Sequence, residues 1–337
     1  MKNIWLELAM EKRGIPPNDI DYSKVMAEFI NHFKIEESRK AALAIVLENE
    51  KALIDNRISG KIRQDFSLVF KECVMPIIAK AYGIAMTPDL VSVQAAKGPC
   101  DNIFYRGPGH ENKVEPCITS TRNLKMVFNF DSMQDLKSVF NIDSKTVITD
   151  CLAQEFAIEW DREVLVNLKE HCKFKWNFGR KHWPRGEQYK GLVYSIWEMS
   201  RYIGDYVSNY YGEENEGKRD GNWIVMNSDL ADKIFPRGEY TSPDVCPYKR
   251  GEIDGITIYC GGDSDCDFPH NEITMGYKGS ILEAGYFFMP YAEIIPIRKG
   301  QLPGPQQRAW RRRGKKLIKN GAGFYGHIDF EENLNEK

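Results

Sequence analysis

The sequence predicts an α+β chain of about two domains. Three observations carry that reading. Helix-period apolar patterns crowd residues 1–88, two further helical stretches follow at 150–172 and 189–211, and the runs between and after them are short, β-branched and aromatic.

Taken in order, Val25, Met26, Phe29, Ile30 and Phe33 recur at helical spacing behind Ser23, a residue suited to capping. Residues 38–57 are rich in Ala, Leu, Glu and Lys, all good helix formers, and Ile62, Phe66, Val69, Phe70 and Cys73 continue an amphipathic pattern toward Pro76. Residues 90–94 and 102–106 read as strands about the Lys97-Gly98-Pro99 turn, and Gly107-Pro108-Gly109-His110 as a plain turn. Residues 107–145 read as irregular, with a strand at 126–130, and therefore as a hairpin arm or flap. The helix at 150–172 carries the strongest signal: Leu152, Phe156, Trp160, Val164 and Leu168 form an i, i+4 ridge with Ala153, Ala157 and Leu165 beside it. A basic, aromatic loop at 173–185 precedes the second long helix, and an acidic loop at 212–221 follows it. Strands are expected at 222–226, 255–260, 271–279 and 284–297, with a short helix at 228–235. The last stretch switches from basic (298–319) to acidic (329–336).

Composition excludes more than it proposes. Against 46 Lys+Arg stand 48 Asp+Glu, which argues against a free-standing polyanion binder. The longest apolar runs fall short of the ~18 residues a membrane helix needs, and no signal-peptide pattern opens the chain, so a cytosolic product is expected. Eight cysteines without framework spacing read as free, packing thiols.

Local chemistry is sparse. Cys246, Cys260, Cys266 and His270 lack the close cysteine pair of structural zinc sites. Asp263, Asp265 and Asp267 begin like a calcium loop, but Phe268 and Thr274 stand where its Gly and Glu belong. No P-loop, nucleophile elbow, zincin or dinucleotide fingerprint occurs, so no catalytic residue, cofactor or metal is expected. Glu155, Glu159 and Glu163 read as the solvated face of the long helix, with Arg162 as partner. The basic blocks remain: five Lys/Arg with Trp176, Arg180 and Trp183 in 173–185, and nine in 298–319, including Arg311, Arg312 and Arg313. Arginine beside aromatics suits stacking on nucleic acid or contact with protein. Charge balance favours the second, with the acidic loop containing Glu213 as a complementary surface and Tyr210 and Tyr211 beside it.

Five ordered blocks resemble the major capsid proteins of T-even-like tailed phages. They are Leu90–Gln94 with Lys97-Gly98-Pro99 and Asn102–Tyr105; Leu152–Glu155 through Trp160-Asp161-Arg162-Glu163; Gly221–Ser228; Gly276–Gly279; and Ala284–Tyr291. The chain departs from the family after Arg298, where a basic stretch and Gly323-Phe324-Tyr325-Gly326 replace the usual closing strand. The resemblance implies the HK97-like capsid fold: a helical N-terminal arm (1–88), the start of a peripheral domain (89–103), an extended arm or E-loop (104–146), the peripheral domain with its spine helix (147–185), an axial domain (186–281), and a return to the peripheral domain with a tail (282–337). It also implies self-assembly into hexamers and pentamers of an icosahedral head, in the virion and built in the host cytoplasm. The head would enclose double-stranded DNA without sequence specificity and without a membrane, with vertex, portal, scaffold and decoration proteins as neighbours. Trp176, Arg180, Trp183, Tyr210, Tyr211, Glu213 and Arg311–Arg313 are the candidate assembly residues. A vertex paralogue, an encapsulin-like shell and an enzyme with a dispersed site remain as alternatives.

Overall fold

Hydrogen-bonded pairing between distant segments sets the architecture. The computed structural model describes residues 37–57, 74–127, 144–178, 187–212, 219–235, 248–261, 271–296 and 306–330. In chain order these form α1 (Glu37–Arg57), α2 (Met75–Ile84), the single turn α3 (Thr87–Leu90), β1 (Ser92–Val93), β2 (Cys100–Arg106), β3 (Asn112–Ile118), β4 (Ser120–Val127), α4 (Ser144–His171), β5 (Phe174–Phe178), α5 (Gln188–Tyr211), β6 (Trp223–Asn227), α6 (Ser228–Ile234), β7 (Tyr248–Ile253), β8 (Ile256–Gly261), β9 (Glu272–Gly276), β10 (Tyr286–Pro296), β11 (Gln306–Leu317) and β12 (Tyr325–Phe330). The expected helices at 25–33 and 62–73 lie outside the described residues.

The strands make a four-stranded sheet in the order β1-β10-β11-β4, a six-stranded sheet in the order β5-β12-β9-β6-β8-β7, and a separate β2-β3 hairpin. Residues 286–294 of β10 are buried without alternation, which marks a strand covered on both faces. One cover is α1. The register of β10 against β11 slips between Pro290 and Ala292 and again between Ala292 and Ile295. Such a bulge takes backbone donors out of the ladder. The buried carboxylate of Glu50 accepts two of them, the N–H groups of Glu293 and Ile294. Asn49 donates to the carbonyls of Ala96 (2.7 Å) and Tyr291 (2.9 Å), and Arg39 donates to those of Tyr82 and Ala85 at the end of α2. The helix is therefore pinned by buried polar groups as well as by Leu43, Val46 and Leu47.

The other cover is α4, 28 residues and about 42 Å long at ~1.5 Å per residue. It starts six residues before the expected 150, because Ser144–Thr149 contains no Gly or Pro to stop it. The predicted ridge faces inward: Phe156, Trp160, Val164 and Leu168 are buried, and Leu152 packs at its margin. In the six-stranded sheet, α5 lays Ile196, Met199, Ile203 and Val207 against the strands and ends at Gly212, whose positive φ of 78° supplies the left-handed cap.

Two sequence expectations change. The irregular span at 107–145 contains instead β3 and β4, and β2-β3 close a regular hairpin in which Phe104 faces Val114 and Cys100 faces Ile118. The basic stretch is not a tail: β11 pairs with both β10 and β4, and β12 then enters the other sheet between β5 and β9. The span 282–337 thus contributes two strands to the four-stranded sheet and one to the six-stranded sheet. The crossing is tight. A Cβ on Gly285 would lie 2.3 Å from the Gly321 carbonyl oxygen, so only paired glycines permit the approach. Beside it, the Tyr286 N–H donates to the Tyr325 hydroxyl (2.9 Å).

Candidate functional site

The long helix is fixed by chemistry as well as by its apolar ridge. Trp160 meets Tyr82 edge-on with centroids 4.7 Å apart. Next to it, Asp161 is wholly buried and accepts from the N–H of Met86 (3.0 Å), the N–H of Thr87 (2.7 Å) and the Thr87 hydroxyl (2.6 Å). It thus caps α3 from a different helix. Burial pushes the Asp161 carboxyl up to about 7, against the pull of those hydrogen bonds and of Arg39.

The basic strand and the acidic helix turn out to be partners. Residues four apart on a helix are ~6 Å apart along its axis. Residues two apart on a strand are ~6.7 Å apart. The two spacings match, so Glu159 and Glu163 of α4 lie over Arg311, Arg313 and Lys315 of β11. Arg311 holds Glu159 through both terminal nitrogens. Glu163 receives Arg313 (3.2 Å), Arg122 of β4 (3.2 Å) and Lys315 (3.6 Å). Arg313 also grips the buried Glu293 of β10 (Nε to Oε2, 2.7 Å) and lies over the Trp160 ring (5.1 Å). Burial alone would raise the Glu163 carboxyl; the surrounding cations hold it below the usual carboxylate range. Glu159 and Glu163, read as part of a solvated face, are held in this ladder instead.

The hairpin presents two faces. Ile103, Tyr105 and Cys117 are buried against the body. Cys100, Asn102, Phe104, Val114, Pro116 and Ile118 alternate with them and are exposed, Ile118 at 75 % and Phe104 and Val114 at 53 % each. The turn is anchored: His110 stacks on Tyr211 (5.2 Å, 17° between rings), which carries Arg219 on its ring at 4.7 Å. Tyr210 and Tyr211 both meet Phe324 edge-on. The turn therefore joins the hairpin to the end of α5.

A second outward surface lies along α5, where Tyr194, Glu198, Arg201, Tyr202, Asp205 and Asn209 follow one another at helical spacing and are exposed. From β5, Trp176 leans edge-on against Tyr202 (5.6 Å).

Of the nine candidate assembly residues, Arg180, Trp183 and Glu213 lie outside the described residues. Trp176 sits half-buried at the α5 surface, and Arg312 is half-buried in β11. Tyr210, Tyr211, Arg311 and Arg313 are buried, with their described contacts made within the chain. The physical reason is pairing: arginines read as meeting an acidic loop or a neighbouring copy find carboxylates about 150 positions earlier in the chain, and the two tyrosines are covered by the hairpin turn and Phe324. Phe104, Val114 and Ile118 were missed, although their alternation with Ile103, Tyr105 and Cys117 is visible in the sequence. Cys246, Cys266, His270 and Asp263–Asp267 lie outside the described residues, while Cys260 is a buried free thiol. One His-carboxylate group, Glu272, His327 and Asp329, converges within the six-stranded sheet.

Residues 113–300 match a family model described as major capsid protein Gp23, more than half of the 337-residue chain. Among solved structures, the chain resembles a subunit of a virus-like particle from Pyrococcus furiosus, at 9 % identity and a TM-score of 0.44, covering 77 % of this chain and 99 % of that one. A Microbacterium phage Oxtober96 chain gives 9 % identity and a TM-score of 0.46 over 73 % and 91 % of the two chains. A Mycobacterium phage Bobi chain gives 8 % and 0.47 over 74 % and 91 %. No curated protein matches the sequence.

Proposed function

The chain belongs to the Gp23 major capsid protein family and is a structural protein of a phage capsid rather than an enzyme, and from that premise we propose that its copies close into the hexamers and pentamers of an HK97-like icosahedral head around double-stranded DNA. Assembly would take place in the host cytoplasm, with portal, scaffold, vertex and decoration proteins as further neighbours. The elements suit that role: a spine helix, a sheet beside it, a hairpin arm and an axial sheet capped by α5.

The observation that carries the proposal is the outward face of the hairpin. Three large apolar side chains stand more than half exposed on one face of a two-stranded ribbon. Fully burying such a side chain is worth ~1.5–3 kcal/mol, so a second copy seated there would recover several kcal/mol per contact. Closed symmetry repeats that contact at every subunit, and modest individual energies then hold a shell. The Tyr and charge stripe on α5 supplies a wetter contact of the opposite kind, with aromatic anchors among paired charges. Near-neutral net charge fits an inner wall that lets DNA be packed and released.

The test is to express the full chain, with a scaffold where required, and image it. Wild type should give capsomers, shells, tubes or sheets. Ile118→Asp and Phe104→Asp should remain folded, because both sites are exposed, but stay unassembled. A wild-type chain that remains monomeric under every condition overturns the proposal, as does assembly undisturbed by both substitutions.

A further inference from the structure

A cross-strand group in the six-stranded sheet carries more charge than it needs for folding. In the antiparallel pairing of β9 and β12, Thr274 stands opposite His327 and Glu272 opposite Asp329. The period of two puts all four on one face. Two carboxylates directly opposite each other on a sheet are destabilising unless a cation lies between them. Among the described residues, Lys169, from the last turn of α4, pairs with Glu272. Lys175, opposite His327 on β5, is turned to the Glu170 carbonyl (2.8 Å). Among the described residues, one ammonium therefore stands by two carboxylates.

His327 lies between them with its side chain 2 % exposed. Its Nε2 is 3.1 Å from Asp329 Oδ1 and 3.7 Å from Glu272 Oε2, and the three ligand atoms lie within 4.8 Å of one another. Around a first-row ion with bonds of ~2.0–2.1 Å, tetrahedral ligands sit ~3.3 Å apart. The two nitrogen–oxygen distances bracket that value, and Asp329, half exposed, can rotate to close the third. Thr274 Oγ1, 3.1 Å from Nδ1, supplies the outer partner that fixes a metal-binding imidazole in the required tautomer.

We propose that Glu272, His327 and Asp329 form a divalent transition-metal site of the zinc class, with water as fourth ligand and Lys169 displaced from Glu272 when the ion binds. The imidazole argues against calcium and magnesium, which prefer all-oxygen shells. The ion would clip β12 to β9, tying the strand that arrives from residues 325–330 into the sheet.

The probe is cobalt(II), followed by zinc(II), titrated into the metal-free full chain. Wild type should develop the visible absorption band of four-coordinate cobalt, saturating at one ion per chain and abolished by zinc, and its Tm should rise with zinc concentration. Asp329→Asn, at an exposed position that tolerates change, and His327→Asn should each weaken binding at least ~10-fold, the loss that even an outer partner brings. Lys169→Met should strengthen it, since the competing ammonium is gone. Near-UV circular dichroism checks that the variants are folded, and Asp329→Asn alone suffices if His327→Asn fails that check. Absence of the cobalt band in wild type, equal affinity in Asp329→Asn, or weaker binding in Lys169→Met overturns the proposal.

Discussion

Replacing Arg313 by Met tests the join between the basic strand and the rest of the fold. Arg313 is 6 % exposed and bonds to Glu293, which is wholly buried. Methionine keeps the contact with Trp160 and Phe288 and fills similar volume, so the loss is electrostatic. Removing one partner of a buried pair costs ~3–5 kcal/mol, because the other charge stays behind. The lost cation–ring contact falls within that range. We expect about 4 kcal/mol at pH 7, read from urea unfolding of the unassembled full chain by tryptophan fluorescence. The pH dependence is diagnostic. Burial, the leading influence, already raises the Glu293 carboxyl, and Arg313 opposes it. A folded-state pKa above the unfolded one gives stability that is present at low pH and lost as pH rises through that window. Without Arg313 the window widens, so the penalty should shrink as pH falls below 4.5, where Glu293 becomes neutral in both states. The double variant Arg313→Met/Glu293→Gln should be more stable than Arg313→Met alone. A loss under ~1 kcal/mol at pH 7, a loss that does not change with pH, or simple additivity of the two substitutions would refute the reasoning.

Other outcomes follow from the same contacts. Asp161, raised to about 7 by burial, contributes stability below its unfolded pKa of 3.8 that is lost as pH rises to 7; Asp161→Asn keeps an acceptor for Thr87, so its Tm should gain on wild type across that interval. Gly276→Ala would place Cβ 2.4 Å from Trp223 and 2.5 Å from Tyr325, and overpacking of that kind should lower stability by ~1–3 kcal/mol in denaturant unfolding. His110→Ala removes the ring stacked on Tyr211, so the hairpin should lose ~0.5–1.5 kcal/mol of local protection in hydrogen exchange while the core strands exchange as before.

What the sequence made legible was local. The ridge from Leu152 to Leu168 and the apolar run at 284–297 announce themselves by periodicity and length, and both lie where expected. The blocks quoted for the capsid resemblance fall on β1 and β2, α4, β6, the end of β9, and β10. What stayed hidden was pairing. Nothing near Arg311 or Arg313 reveals that Glu159, Glu163 and Glu293 will face them, so charge density read as a contact surface for another acidic stretch. Within the strand the signal is present, since 311, 313 and 315 alternate with period two, but it is drowned by Arg312 and Lys316 on the other face. Tyr210 and Tyr211 misled for a similar reason: tyrosines beside a polar loop suit an exposed contact until a hairpin turn from a hundred residues earlier covers them.

The crossing of residues 306–330 between the sheets has a consequence for synthesis. Translation proceeds from the N-terminus, yet β11 fills the place between β10 and β4, and β12 the place between β5 and β9. Until residue 317 has left the ribosome, the four-stranded sheet stands open and the carboxylates of α4 lack their arginines, and the six-stranded sheet stays open until residue 330 follows. A polypeptide terminated before β11 therefore lacks a central strand in each sheet, and one terminated between β11 and β12 lacks it in the six-stranded sheet. The strands that complete both sheets are thus the last that synthesis delivers.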